Sequence, residues 1–151
     1  MLEEKKMIRM LNKNTIEVSL PNKLGYERIA MACSASFAKI VGFLPERIED
    51  LKTAVSEACL NAMEHGNKRC SDARVVVTMY LGDKDFRVSV KDEGDGIENI
   101  PQDIDIKKKV ENLEPPNGMG IFLIQQLVDQ VEFNEMTDGG HVVKMVLKIE
   151  N

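Results

Sequence analysis

The order in which the hydrophobic period changes along the chain is the feature that most constrains its fold. Residues 15–20 alternate polar and apolar, as a half-buried strand does, and two stretches with a helical period follow, 24–41 and 45–66. Two β-branched segments, 74–81 and 86–90, then predict a hairpin around a glycine-containing loop. Strands and helices therefore come in blocks and do not alternate one by one.

The C-terminal part of the chain completes this order. Residues 94–120 are rich in Asp, Glu, Lys, Asn and Pro and show little periodicity, which predicts a long functional loop. A helix pattern over 121–128 and strands at 131–133 and 141–149 follow, the strands being joined by a turn at 137–140. The whole order predicts a two-layer α+β sandwich, with helices on one face of a mostly antiparallel mixed sheet. A doubly wound parallel sheet would need regular alternation.

Length and composition fit one compact domain. The 151 residues are 43% hydrophobic, enough to bury a core without disulfides or a structural metal. We expect residues 1–14 to be a charged N-terminal extension and residues 15–151 to form the domain. No apolar run approaches the roughly 18 residues that a membrane span needs, so we expect a cytoplasmic protein without a membrane partner.

Charge and cysteine content exclude several classes of function. The formal net charge of -5 disfavours a protein that holds nucleic acid through general basicity. The three cysteines, Cys33, Cys59 and Cys70, form no CxxC pair, so neither a disulfide framework nor a zinc knuckle is indicated. His65 and His141 have no neighbouring Cys or acidic cluster in the sequence, which makes them poor candidates for zinc ligands.

Polar side chains follow one side of the second predicted helix. Glu57, Asn61 and His65 are spaced four residues apart, so they project along the same side. A carboxylate and an amide one turn apart can hold a hydrated Mg²⁺ or polarise a hydroxyl beside a phosphate. On this segment alone a solvated helix edge is the simpler interpretation. His65 and the following Gly66 are typical of a helix C-cap whose histidine complements the dipole.

Two glycine-containing segments are candidates for ligand contact. Asp92 follows a strand and opens a turn with Gly94 and Gly96, where a buried carboxylate could accept the amino hydrogens of adenine. Gly118 and Gly120 precede a predicted helix, where unhindered amides could meet phosphate oxygens. Taken singly, the first segment is also typical of a surface turn and the second of a hinge. Neither matches a Walker or dinucleotide-binding sequence.

In this order and on this layout, three motifs together resemble the GHKL (Bergerat) ATP-binding fold shared by gyrase, Hsp90, histidine kinases and MutL. The motifs are Glu57-x-x-x-Asn61, Asp92-x-Gly94-x-Gly96 and Gly118-x-Gly120. The stretch 55–66, with the sequence VSEACLNAMEHG, is similar in particular to bacterial anti-sigma-factor serine kinases of the RsbW type. The resemblance extends from Thr15 to Ile149, nearly the whole chain.

The resemblance implies a role for each of these residues. Glu57 would be the catalytic base, Asn61 the Mg²⁺ ligand that acts through the ATP phosphates, and Asp92 the carboxylate that recognises adenine. Residues 97–117 would form the ATP lid. The nucleotide pocket would also be shaped by Gly94, Gly96, Gly118, Met119 and Gly120.

The implied function is that of an ATP- and Mg²⁺-dependent protein serine/threonine kinase acting as an anti-sigma-type regulatory factor in a partner switch. Its partners would be an anti-sigma-factor antagonist protein and a sigma factor, and a homodimer is also implied. A second hypothesis is a non-catalytic, ATP-gated module that sequesters a regulatory protein. It is motivated by the lid residues 115–117, Pro-Pro-Asn, where such kinases often have a basic residue.

The sequence departs from the family pattern on the adenine side as well. Kinases of this type often have Gly-Thr near the last strand, whereas here Gly140 is followed by His141. An adenine-side hydrogen bond is therefore expected to be either missing or made differently in this chain.

Overall fold

A computed structural model describes residues 8–68, 70–94 and 117–149, which form one sheet and a layer of helices. The strands are β1 (Ile8–Asn12), β2 (Thr15–Pro21), β3 (Arg74–Leu81), β4 (Asp85–Lys91), β5 (Gln130–Glu135) and β6 (His141–Lys148). The helices are α1 (Glu27–Val41), α2 (Pro45–Asn61) and α3 (Asn117–Leu127). A π-helical turn, Ala62–Gly66, follows α2 directly.

The six strands are arranged in the order β1-β2-β3-β4-β6-β5. Within the described ranges every neighbouring pair is antiparallel, including the hairpins β3–β4 and β5–β6. Helices α1 and α2 lie between β2 and β3 in sequence, and α2 packs against both α1 and α3. The predicted two-layer α+β sandwich is confirmed.

The strand β1 is an element that the hydrophobic pattern does not reveal. Ile8 pairs with Val18, and Met10 pairs with Ile16, so β1 forms an edge of the sheet. An edge strand has a neighbour on one side only and need not carry a strong apolar alternation. Residues 8–12 lie within the segment expected to be a charged extension, and they add a strand to the domain.

The core lies between the sheet and the helices. Alternate residues of β3 and β4 are buried on the helical side, as the strand period of two requires: Val75, Val77, Met79, Phe86, Val88 and Val90. The ring of Phe37 from α1 contacts that of Phe86 edge to face, with 5.0 Å between the ring centroids. On α2, the side chain of Cys59 is fully buried, and this burial raises the pKa of its thiol to about 12, with a smaller contribution from Glu27.

The boundaries of the first two helices follow local rules. Gly42 has a φ of 109°, and its backbone N–H donates to the carbonyls of Ala38 and Lys39, as in a glycine-terminated helix. Pro45 occupies the first turn of α2, where its missing N–H costs nothing. The predicted end of the first helix at Gly42 is therefore confirmed.

The predicted start of the last helix is wrong by one turn. We expected Gly118 and Gly120 to precede a helix beginning near Ile121, but α3 begins at Asn117 and includes both glycines. Glycine has a low helix propensity, so the local sequence favours a later start. Packing of α3 against α2 overrides that preference, and Gly120 lies at the point of close approach.

Candidate nucleotide-binding site

Asp92 is a buried carboxylate at the end of β4. It continues the parity of Phe86, Val88 and Val90, so its side chain is directed toward the helical layer. Only 6% of the residue is exposed. Its backbone N–H donates to the carbonyl of His141 at 2.9 Å, which extends the β4–β6 pairing by one step. An acidic side chain is thereby held at the boundary between the sheet and the helices.

The Asp92 carboxylate is hydrogen-bonded to one residue of β6. Its Oδ1 accepts the backbone N–H of His141 at 3.1 Å and lies 3.1 Å from Nδ1 of the same histidine. A buried carboxylate needs such partners because burial without them is costly. His141, which stands where the family pattern often has Thr, therefore contacts the predicted adenine-recognising carboxylate directly.

The prediction that Gly66 caps α2 is wrong. The residue does not have a positive φ, and the helical run passes through the π-helical turn to Asn67, which has right-handed φ and ψ. A Cβ built on Gly66 would overlap the Asp92 carboxylate at Oδ2. The glycine is thus explained by the close approach of the Asp92 side chain and not by a left-handed cap.

The residue directly after the π-helical turn, Asn67, was missed by sequence reasoning. The side chain of Asn67, 1% exposed, donates from Nδ2 to Oδ1 of Asn22 at 3.0 Å and to the carbonyl of Arg74 at 3.1 Å. Its Oδ1 accepts the backbone N–H of Glu93 at 2.8 Å. Asn67 therefore ties the helical run to the turn that follows Asp92. π-helical turns are frequent at functional sites, but the sequence alone gives no sign of this one.

Gly94 and Gly140 pack the turn after β4 against the turn before β6. Gly94 has a φ of 67°, and a Cβ there would overlap the carbonyl oxygen of Gly139. A Cβ on Gly140 would overlap the backbone carbonyl of Asp92. Gly94 is therefore explained by contact with a neighbouring turn, and the expectation that a side chain there would obstruct a ligand stays a prediction. Gly96 lies outside the described residues.

Glu57, Asn61 and Gly120 meet where α3 crosses α2. A Cβ on Gly120 would lie 2.8 Å from Nδ2 of Asn61 and 3.0 Å from Oε2 of Glu57. Both side chains are half-buried, so they are not the fully solvated helix edge that was the simpler interpretation. His65, on the same predicted side, is exposed.

The structure brings together only some of the other predicted residues. Gly118 and Met119 lie in the first turn of α3, next to Gly120. The expected lid, apart from the helical residue Asn117, lies outside the described ranges. Among the described residues, no group of three or more His, Cys, Asp or Glu side chains could hold a metal ion.

A separate groove of about 360 Å³ lies on the sheet face away from the helices. Its lining includes Thr78, Tyr80, Arg87, Ser89 and Lys144, which alternate along their strands with core residues. The groove contains none of the predicted site residues. In the part of the chain that the structure describes, no helix has the length and apolar character of a membrane span.

Comparison with known proteins agrees with this architecture. A family model for the histidine kinase-like ATPase domain matches residues 20–147. The chain is 34% identical over 140 residues to the serine-protein kinase RsbW of Bacillus thuringiensis (strain Al Hakam), covering 89% of this chain and 85% of that protein. RsbW of Bacillus cereus (strain 03BB102) gives the same identity and coverage.

Two solved structures share the fold at low sequence identity. The structure of the RsbU and RsbW domains of Rv1364c from Mycobacterium tuberculosis has a TM-score of 0.63 and 21% identity. The match covers 88% of this chain but only 32% of that longer one. A chain of the SiaB-SiaC complex from Pseudomonas aeruginosa matches with a TM-score of 0.57 and 16% identity. The match covers 97% of this chain and 93% of the other. The chain belongs to the histidine kinase-like ATPase domain family, among relatives of the serine-protein kinase RsbW.

Proposed function

We propose that this protein is an ATP-dependent protein serine/threonine kinase that acts as an anti-sigma-type regulatory factor in a partner switch. The observation that carries the proposal is the meeting of Gly120 with both Glu57 and Asn61. A carboxylate and an amide are thereby grouped at the start of a helix, where the first backbone N–H groups have no partner within the helix and favour anions such as phosphate. This is the grouping that phosphoryl transfer needs.

Asp92 supplies the other end of the proposed ATP site. It contacts Gly66, which follows Asn61 by five residues on one continuous helical run. At about 1.5 Å per residue, the two positions are separated by roughly 8 Å along that run. Asp92 and the Glu57–Asn61 pair are thus spaced on the scale of a nucleoside triphosphate, with the base at Asp92 and the phosphates near Asn61 and Gly120.

The residues around Gly120 fit Mg²⁺ and phosphate without a dedicated metal cage. Mg²⁺ takes oxygen ligands and usually keeps several waters, so one amide oxygen from Asn61 together with substrate phosphates is sufficient. A Cβ at position 120 would crowd both polar heads, so the glycine allows them to lie against the start of α3. In this assignment Gly118 and Met119 contribute backbone groups to the same helix start.

Glu57 has the role of general base in the proposed reaction. Bound ATP with Mg²⁺ supplies the phosphoryl group. The Glu57 carboxylate accepts the proton of the substrate hydroxyl, while Asn61 and the first turn of α3 orient the phosphates. Positioning and charge neutralisation provide most of the catalysis in such a reaction, since the protein makes no covalent bond.

The proposed substrate is a small antagonist protein, and the proposed sequestered partner is a sigma factor. The support is that the sequence relatives are RsbW serine-protein kinases and that one structural neighbour comes from a complex of two proteins, SiaB and SiaC. A cytoplasmic location is part of the proposal, because all three cysteines are free thiols, as in reducing compartments.

The alternative is an ATP-gated binding module that sequesters a regulatory protein without phosphorylating it. It is favoured by the Pro-Pro-Asn sequence at 115–117, which offers no cation for the γ-phosphate. Both hypotheses require nucleotide binding through Asp92. They differ in whether Glu57 is needed for anything beyond binding.

The test is a phosphotransfer assay with γ-labelled ATP, Mg²⁺ and candidate antagonist proteins, run alongside a measurement of ATP affinity. Glu57→Gln keeps the shape of the side chain but removes the base, so we expect ATP binding to persist while the transfer rate falls roughly 10²–10⁴-fold. Lys144→Ala, on the opposite sheet face, is the matched control and should leave both quantities unchanged.

Two results would overturn parts of the proposal separately. Wild-type protein that binds ATP yet phosphorylates none of the antagonists supports the binding module. An Asp92→Asn variant that binds ATP as tightly as wild type removes the pocket assignment itself. Mass spectrometry of the product checks that the phosphate is on a serine or threonine.

A further inference from the structure

We propose that Asn67 is a positioning residue for base recognition: its side-chain amide takes the place of a backbone hydrogen bond between β3 and β4 and thereby fixes the chain beside Asp92. The inference rests on the proposed function, in which Asp92 recognises the base. It adds a residue that is 1% exposed and that acts on the carboxylate through the backbone of the next residue, Glu93.

The register of the sheet shows which backbone groups would be partners beyond the last β3–β4 pair. That pair is Val76 and Lys91. In an antiparallel ladder, two residues further along each strand lies the next equivalent pair, which here is Arg74 and Glu93. The Asp92 N–H donates to β6, and N–H groups alternate between the two sides of a strand, so the Glu93 N–H is directed toward β3. The regular continuation would be a direct hydrogen bond from this N–H to the Arg74 carbonyl.

The Asn67 amide occupies that position instead. Its Oδ1 accepts the Glu93 N–H at 2.8 Å, and its Nδ2 donates to the Arg74 carbonyl at 3.1 Å. Two backbone groups that would lie roughly 2.9 Å apart in a direct hydrogen bond are thus separated by an inserted amide group. Asn67 therefore keeps the ends of β3 and β4 apart while it satisfies both backbone groups.

The bridge formed by the Asn67 amide is held in place from two sides. The guanidinium of Arg74 donates to Oγ of Ser19 at 2.8 Å and to the carbonyl of the same residue at 3.0 Å, which fixes the start of β3 to β2. Nδ2 of Asn67 also donates to Oδ1 of Asn22 at 3.0 Å. With both supports fixed, the bridge determines the position of the Glu93 N–H.

The bridge requires an amide. The Glu93 N–H needs an acceptor and the Arg74 carbonyl needs a donor, and asparagine offers both on one planar group. A carboxylate offers no donor, and an aliphatic side chain offers neither. The same requirement assigns the orientation of the amide, with Oδ1 toward Glu93.

The bridge acts directly beside the predicted base-recognising carboxylate. Asn67 follows Gly66, and the Asp92 carboxylate lies in the place that a Cβ on Gly66 would take. Without the amide, the Glu93 N–H is free to move toward β3 and complete the regular ladder, which shifts the backbone of Asp92 relative to the helical run. Such a shift weakens recognition of the base more than binding of the phosphates, which lie at the other end of the proposed site.

The test compares dissociation constants for ATP and inosine triphosphate on the full chain, measured by competition with labelled ATP. A carboxylate pairs with the 6-amino group of adenine and is repelled by the 6-carbonyl of hypoxanthine, so we expect wild type to prefer ATP. Asn67→Ala should raise the Kd for ATP roughly tenfold, with a smaller change for inosine triphosphate. Asn67→Ser, whose single hydroxyl cannot span both backbone groups, is a second variant and should reduce the preference in the same direction.

Asn22→Ala is the matched control. It removes the hydrogen bonds of Asn22 to Asn67 and to the carbonyl of Cys70, but it leaves the bridge between Arg74 and Glu93 in place. We expect this variant to have a lower free energy of unfolding and an unchanged preference for ATP. Urea unfolding of the same samples identifies the conditions in which every variant is folded, and binding is measured there.

The outcomes separate this inference from the proposed function. If Asp92→Asn loses ATP binding but Asn67→Ala keeps the wild-type preference, the inference fails while the base-recognition site stands. An equal loss of affinity for both nucleotides in Asn67→Ala, or an equal loss of preference in Asn22→Ala, would also overturn it, because a merely structural role would produce either result. If Asp92→Asn binds ATP as tightly as wild type, the base-recognising role of Asp92 is wrong and the inference falls with it.

Discussion

The carboxylate of Asp92 packs against the Cα of Gly66, and this contact joins the end of β4 to the end of the helical run that begins with α2. The Asp92 carboxylate occupies the space that the side chain of any residue larger than glycine at position 66 would need. Gly66 is therefore as much a part of the site as Asp92, although it carries no functional group.

Gly66→Ala is expected to damage folding and nucleotide binding together. The added methyl group would overlap Oδ2 of Asp92, so either the carboxylate or the π-helical turn must move. Overpacking of this kind costs about 1–3 kcal/mol. We expect a lower free energy of unfolding in urea and an ATP affinity reduced by at least tenfold, because the carboxylate proposed to recognise the base is displaced.

Gly42→Ala separates the two effects. Gly42 has a φ of 109° and nothing within 4 Å of a built Cβ, so alanine there is strained but does not crowd a neighbour. We expect it to cost about 1 kcal/mol of stability and to leave ATP affinity at the wild-type value. If Gly66→Ala binds ATP as well as Gly42→Ala does, the contact with Asp92 does not matter for binding.

These glycines mark the limit of what the sequence predicts. The layered α+β fold, the hairpins and the end of α1 follow from periodicity and from Gly42, which are local signals. Gly66 follows a helical stretch, which is typical of a glycine cap. What requires a glycine there, however, is contact with the side chain of Asp92, 26 residues later in the sequence. A long-range contact of this kind leaves no local pattern.

The candidate site was predicted unevenly for the same reason. Glu57 and Asn61 share a helix side, so their grouping follows from spacing alone. Their meeting with Gly120 depends on how α3 crosses α2, and the sequence places that helix one turn too late. Asn67 was missed because its partners, Asn22, Arg74 and Glu93, come from three separate segments.

Gly120→Ala is expected to affect catalysis more than stability. Its Cβ would approach Nδ2 of Asn61 at 2.8 Å and Oε2 of Glu57 at 3.0 Å, and both are ends of side chains that can shift. We expect a stability change below about 1 kcal/mol. A displacement approaching 1 Å of groups that position phosphates can lower the rate by roughly 10²-fold. Steady-state phosphotransfer and urea unfolding of the same samples measure the two effects.

The contradictory result for Gly120→Ala would be a kcat equal to that of wild type with intact folding. That outcome would mean that Glu57 and Asn61 tolerate crowding, and it would argue against their joint role in phosphoryl transfer. Lys144→Ala, on the opposite face of the sheet, is the control.

Asn67→Ala is expected to cost roughly 2–4 kcal/mol, because it removes three part-buried hydrogen bonds made by a residue that is itself buried. The Glu93 N–H would lose its acceptor, and the Arg74 carbonyl would lose a donor. Chemical unfolding measures the loss. Asn67→Asp is the informative companion: it can still accept from Glu93 but cannot donate to Arg74 or to Asn22. A loss below about 0.5 kcal/mol in both variants would contradict the role of Asn67.

The buried thiol of Cys59 makes the free energy of unfolding decrease as the pH rises into the alkaline range. Burial raises the pKa of this thiol from 9.0 to about 12 in the folded chain. Between these values the unfolded chain has released the proton while the folded chain keeps it, so the unfolded state binds fewer protons. The free energy of unfolding must then fall as pH rises above 9, with a slope of up to about 1.4 kcal/mol per pH unit.

Cys59→Ala removes this dependence. We expect the variant to be about 1 kcal/mol less stable than wild type near neutral pH, because a small cavity forms in the core. Between pH 9 and pH 11, however, its free energy of unfolding should fall less steeply, so the difference between the two proteins narrows. Urea unfolding at several pH values measures the difference, and the lysines and tyrosines common to both proteins cancel. Parallel pH profiles would mean that the Cys59 thiol ionises in the folded chain as readily as in the unfolded one.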